Sequence, residues 1–129
     1  MKITILKLRR DNYDNVNREL QWLGNSLGLF NLRDRDSSCF RIFISLVRRA
    51  KRNEATSSDQ IAEQLNLTRG TVVHHLSKLM DSGLVVREGR RYILRERDLQ
   101  QVIKDLQKDM DFVFSELNQV AKEIDEKLG

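Results

Sequence analysis

The side chains with chemical potential in this chain are hydrogen-bond donors rather than nucleophiles. Thr68, Arg69, Thr71, His74 and Lys78 fall within eleven residues, with Gly70 among them. Arg87, Arg90 and Arg91 follow a short way on. Guanidinium, ammonium, imidazole and hydroxyl groups at this density suit a polyanion, whose phosphates and base edges are acceptors. Gly70 has no side chain, so the backbone there can approach a phosphate closely. Thr71 and the first amides of a helix could receive phosphate oxygens. Arg69 suits either guanine or phosphate, and His74 is placed to read bases.

Bond-making chemistry has no comparable signature. The phosphate-binding G-x-x-x-x-G-K-[ST] loop, the nucleophile elbow and the G-x-G-x-x-G fingerprint are all missing. Cys39 lies in an apolar stretch and is expected to be buried. His74 and His75 are adjacent, about 100° apart on a helix, so they are not an i, i+4 metal pair. We therefore expect no catalytic residue, no metal and no cofactor.

The donors need elements to hold them, and residues 56–95 supply these. Thr56, Ser57 and Ser58 are caps for a short helix, with Ile61, Ala62 and Leu65 on its apolar face. Asn66-Leu67 makes a turn with one buried anchor, and Thr68 caps a second helix over about 69–82. Val72, Leu76 and Leu79 form its inner face, widened by Val73 and Met80; Gly70, His74, Ser77 and Lys78 lie opposite. Gly83 stops the helix. Leu84-Val85-Val86 and Tyr92-Ile93-Leu94 then flank the turn signal Glu88-Gly89-Arg90, which predicts a hairpin crowded by Arg87, Arg90, Arg91, Arg95 and Arg97.

The run LNLTRGTVVHHLSKLMDSGLVVREGRRYIL resembles the winged helix-turn-helix of ArsR-like and MarR/TrmB-like prokaryotic transcriptional regulators. The resemblance covers residues 56–95. It implies that the helix opening at Thr68 enters a major groove, with Thr68, Arg69, Thr71 and His74 facing DNA and His75 packed at the helix edge. The paired cysteines of metal-sensing ArsR-like proteins are absent, so metal sensing is not expected.

Charge is divided unevenly along the chain. Of the net +4, residues from Asp98 onward hold eight acids against four lysines, leaving −4 there and +8 in the rest. A basic body with an acidic tail fits a DNA-binding part joined to a part that stays off DNA.

The remaining elements should carry this reader. Residues 1–10 alternate apolar side chains, as a short strand or an extended arm would. Val16, Leu20, Leu23 and Leu27 predict an amphipathic helix over about 13–27, ended by Gly28 and packed against the C-terminal helix, with Trp22 in a core or interface role. A loop is expected over 31–37, then a central helix over 38–52 capped by Asp36 or Ser37. That helix is apolar on several sides, but its basic end Arg48-Arg49-Ala50-Lys51-Arg52 favours helix over strand and could touch phosphates.

Residues 98–128 have no Gly or Pro, and Leu99, Ile103, Leu106, Met110, Val113, Leu117, Val120 and Ile124 repeat as a heptad seam. Such a helix is about 46 Å long at 1.5 Å per residue, too long to bury both flanks on a small domain. It is expected to pair with the same helix of a second copy, with Phe112 and Phe114 off the seam and docking on the N-terminal helix or the partner's domain. The expected fold is thus mainly α with a small β-hairpin wing and a long C-terminal dimerisation helix. Its segments are an N-terminal arm and helix over 1–35, a winged helix-turn-helix over 36–97 and a coiled coil over 98–129.

These features together predict a homodimeric regulator on double-stranded DNA carrying an inverted-repeat operator. Two other uses of the fold stay open: a protein-interaction module, and an architectural chromatin protein with little sequence preference. No apolar run approaches the roughly 20 residues of a membrane span. No signal peptide is visible, and a single cysteine fits a reducing cytoplasm, with the nucleoid as the expected place. The region around Trp22 and the dimer interface have room for an effector, but no polar constellation marks one.

Overall fold

The computed structural model describes residues 2–30 and 37–129. The expected loop over 31–37, apart from Ser37, and a cap from Asp36 lie outside the described residues. The order is α1 (Val16–Ser26), α2 (Ser38–Lys51), β1 (Thr56–Ser57), α3 (Ser58–Leu65), α4 (Arg69–Asp81), β2 (Val85–Glu88), β3 (Arg91–Leu94) and α5 (Leu99–Leu128). The fold is a winged helix-turn-helix, mostly helical, with a small antiparallel sheet and a long terminal helix.

Helix α2 occupies the centre. It buries Cys39, Ile42, Phe43, Leu46 and Ala50, and α1, α3, α4 and β3 all pack against it. Ser37 stands at its N-cap position, but with φ of 50° its hydroxyl makes no capping bond, contrary to expectation. Arg41 instead donates to the Leu65 carbonyl and Arg49 to Gln64, drawing the end of α3 onto α2.

The N-terminal segment is an extended arm rather than a strand. Its amides at Lys2 and Leu6 donate to the Asp81 and Ser26 carbonyls, each at 2.7 Å. Helix α1 begins later than the sequence suggests, because Asn15 Oδ1 accepts from the Asn17 and Arg18 amides. It docks on α2. Its expected stripe is only half-buried at Leu20, Leu23 and Leu27, and Val16 is exposed. The tight point is Gly24, whose missing side chain is replaced by the ring of Phe30. Phe30 in turn meets Phe40 and Phe43 edge-on, at centroid distances of 5.3 and 6.1 Å.

The sheet has strand order β1-β3-β2, with Thr56 opposite Tyr92 and Val85 opposite Leu94. Strand β1 has no sequence signature, because two residues are too few to show alternation. Gly89 has φ of +62°, and Gly89-Arg90 is the two-residue connection between Glu88 and Arg91. Positive φ at the first central residue is what glycine supplies cheaply in such a hairpin.

Helix α5 is divided in two. Its base, capped by Asp98, buries Val102 and Leu106 in the common core. Val102 lies off the expected seam yet is fully buried. Each such burial contributes about 1.5–3 kcal/mol. From Asp111 onward every residue is exposed, including Val113, Leu117, Val120 and Ile124. Phe112 is 67% exposed, whereas Phe114 borders the groove beside the arm. Arg95, at the end of β3, also holds the base of α5: it reaches Asp109 at 2.7 Å and Asp105 at 3.5 Å. The hydrogen bond to Asp109, reinforced by both carboxylates against desolvation, raises the Arg95 pKa above its ordinary value.

Because Phe30 is locked between two other rings, Gly24→Ala should destabilise the fold by about 1–3 kcal/mol through overpacking. Urea unfolding followed by circular dichroism would read this as a lower midpoint at an unchanged slope.

Candidate nucleic-acid interface

Helices α3 and α4 form a tightly specified pair. Ser57 Oγ accepts from the Gln60 amide at 3.1 Å, and Gln60 Oε1 accepts from the Ser57 amide at 3.1 Å, a reciprocal capping box. Asn66 ends α3 with φ of 55°, a conformation asparagine tolerates better than most side chains. The Leu67 amide then donates back to Ala62 at 2.9 Å, closing the turn. Thr68 Oγ1 accepts from the Thr71 amide at 3.2 Å and lies 2.9 Å from the Thr71 hydroxyl, so α4 starts where the sequence places it.

Val72, Leu76 and Leu79 are fully buried, which fixes the rotation of α4. The outward row is then Arg69, Gly70, Val73, His74 and Ser77, all exposed. Val73 corrects the sequence reading, which put it on the buried flank: it is 38% exposed. The signal was present, since Val73 is three residues from Gly70 and four from Arg69. A Cβ at Gly70 would meet nothing within 4 Å, so the protein's own packing does not require glycine there.

Two members of the expected set are engaged elsewhere to different degrees. Arg69 lies 3.5 Å from Asp59, but both side chains are about three-quarters exposed (73% and 74%). Such a pair is worth about 0–1 kcal/mol and releases easily. Lys78 is half-buried and its Nζ donates to the Leu29 carbonyl at 2.8 Å, so it braces the α1–α2 connection and stands apart from the outward row.

In the wing, Arg87 Nε donates to the Gly89 carbonyl at 2.8 Å, and its guanidinium lies 5.7 Å from the Tyr92 ring centroid. Arg90 and Arg91 are exposed at the tip. Arg95, counted with the wing arginines from sequence, is committed to α5. At the basic end of α2, Arg49 is tied to Gln64 and Arg52 lies 3.5 Å from Glu54, which leaves Arg48 and Lys51 as the exposed charges without a described bond.

His74 and His75 meet edge-on at 5.3 Å between ring centroids. Among the described residues no three His, Cys, Asp or Glu side chains gather as metal ligands would. No helix among them is long and apolar enough to cross a membrane.

Residues 45–86 match the family model described as bacterial regulatory protein, arsR family. The match runs from the second half of α2 through α3 and α4 into β2, and so contains the whole outward row. The likeness covers about a third of the chain and suggests a DNA-binding regulatory segment. No curated protein matches the chain.

Thr68→Ala removes the cap of α4 and should cost about 1 kcal/mol. Thermal unfolding would measure this, and Thr68→Ser should recover most of the loss because the accepting oxygen is retained.

Proposed function

We propose that the protein is a sequence-specific regulator that binds double-stranded DNA as a homodimer, with α4 in the major groove and the hairpin as its wing. The observation that carries this reading is the outward row of α4, rigidly presented by a buried opposite face. Arg69 and His74 offer donors to base edges, and Val73 offers an apolar contact of the kind a thymine methyl accepts. Thr68, Thr71 and the open backbone at Gly70 suit phosphate oxygens. Arg87, Arg90 and Arg91 bind backbone or minor groove, giving affinity and orientation with little base information. Lys78 contributes through its brace to Leu29 and not as a direct contact.

One α4 spans only a few base pairs. The exposed apolar row Val113, Leu117, Val120 and Ile124 supports pairing of two chains through the distal half of α5; the base of the expected seam is used within the chain instead, with Leu106 buried in its core and Leu99 and Ile103 packed against it. Two readers related by a two-fold axis then address an inverted repeat.

Selection of bound fragments from genomic DNA, followed by gel-shift titration, tests the proposal. Affinity for the selected site should fall steeply with salt and exceed that for random DNA by at least about 10³-fold. His74→Ala or Arg69→Ala should cut affinity for the selected site by about 1–3 kcal/mol and random binding far less. Arg90→Ala and Arg91→Ala should weaken both alike and flatten the salt dependence. Equal affinity for both DNAs would instead favour a chromatin protein, and salt-insensitive weak binding to both a protein adaptor.

A further inference from the structure

The N-terminal arm lies beside the base of α5 and leaves a groove between them. This cavity of about 400 Å³ is lined chiefly by Ile3, Ile5, Leu27, Ile103, Met110 and Phe114. Met110 and Phe114 are at once the floor of the groove and the beginning of the bare apolar row of α5, so the two surfaces are continuous. That row is broader than a two-residue seam at its start, because Phe114 flanks Val113, Leu117, Val120 and Ile124, and Leu128 prolongs it; all six are exposed. A wide stripe requires more cover than one facing helix provides.

Charge decides which segment covers it. Residues 2–10 carry Lys2, Lys7, Arg9 and Arg10 and no acid. Residues 111–126 carry five acids and one lysine. Two α5 helices running parallel would lay acidic distal halves side by side and leave the basic arms uncovered. Running antiparallel, each acidic distal half lies along the other chain's basic arm, with its apolar row in the groove.

We propose that the arm and the base of α5 form the seat for the distal half of α5 from a second copy of this chain, in antiparallel orientation. The proposal rests on the dimer reading above and assigns its geometry. With Ile124 lying over the partner's Ile103, the two Val102 anchor points stand about 35 Å apart along the rod at 1.5 Å per residue. That is close to the roughly 34 Å that separates half-sites one helical turn apart. A parallel rod would bring the same points to within about 10 Å, the spacing of packed helices.

Site-directed cross-linking tests the seat in the full chain. Cys39 is 1% exposed and provides a quiet background, verified by treating the unmodified protein. Chains carrying Ile5→Cys are mixed with chains carrying Ile124→Cys and treated with a short bis-maleimide, while sedimentation reports the oligomeric state. Efficient linkage in the mixture, with little in Ile124→Cys alone, is the expected result. Linkage of Ile124→Cys to itself, without linkage in the mixture, would overturn the antiparallel seat while leaving the dimer intact. A sedimenting dimer with neither linkage would also overturn the seat. A monomer at all working concentrations would remove the dimer reading itself. As a second variant, Ile5→Asp changes a side chain that is exposed in the single chain, so circular dichroism of the diluted monomer should be unchanged while dimer dissociation rises at least tenfold and the midpoint at dimer-forming concentrations falls with it; unchanged dissociation would count against the seat.

Discussion

The structure depends on α2 being apolar around most of its circumference. A helix with several apolar sides must be enclosed, and here α1, α3, α4 and β3 supply the enclosure. The rotation of α4 follows, because Val72, Leu76 and Leu79 must face that centre. The outward direction of Arg69, Val73 and His74 is therefore a consequence of core packing and needs no bond of their own. The two arginines of α2 that bind Leu65 and Gln64 add polar fixation at the rim of the same contact.

A second constraint lies where the helix-turn-helix meets α5. Val102 and Leu106 enter the common core, and Arg95 ties the end of the wing strand to Asp105 and Asp109 on α5. Wing, core and rod thus share one junction. Past Asp111 every residue of α5 is exposed among the described residues, apart from the groove that Phe114 shares with the arm, and an apolar row continues into solvent. An amphipathic helix of this length is stabilised mainly by packing of its apolar face, so the distal half has a strong reason to find a second chain.

Much of this was legible in the residues. A hydroxyl cap for α3, the Thr68 cap, the inner face of α4 and the hairpin turn all rest on interactions between residues a few positions apart, and each left its spacing in the sequence; that the α3 cap is a reciprocal box of Ser57 and Gln60 came from the structure. Two departures occurred where a residue's partner is distant in the chain. Lys78 reads as an exposed cation, but the Leu29 carbonyl is 49 residues away. Arg95 reads as part of the wing until α5 folds beside it. Val73 departs for a local reason: it is apolar and borders the inner face, which predicts cover, yet its place three residues from Gly70 turns it outward.

The sequence by itself determined the order and type of the main elements, the position of α4 and the apolar periodicity of the terminal helix, because local hydrogen bonding and face periodicity are written in nearest neighbours. Only the tertiary structure decided which cations remain outward, where α5 stops being part of the core, that Thr56-Ser57 adds a third strand, and that the arm opens a groove beside α5. Those outcomes depend on which distant surfaces meet, and burial against a remote partner leaves no mark in local spacing.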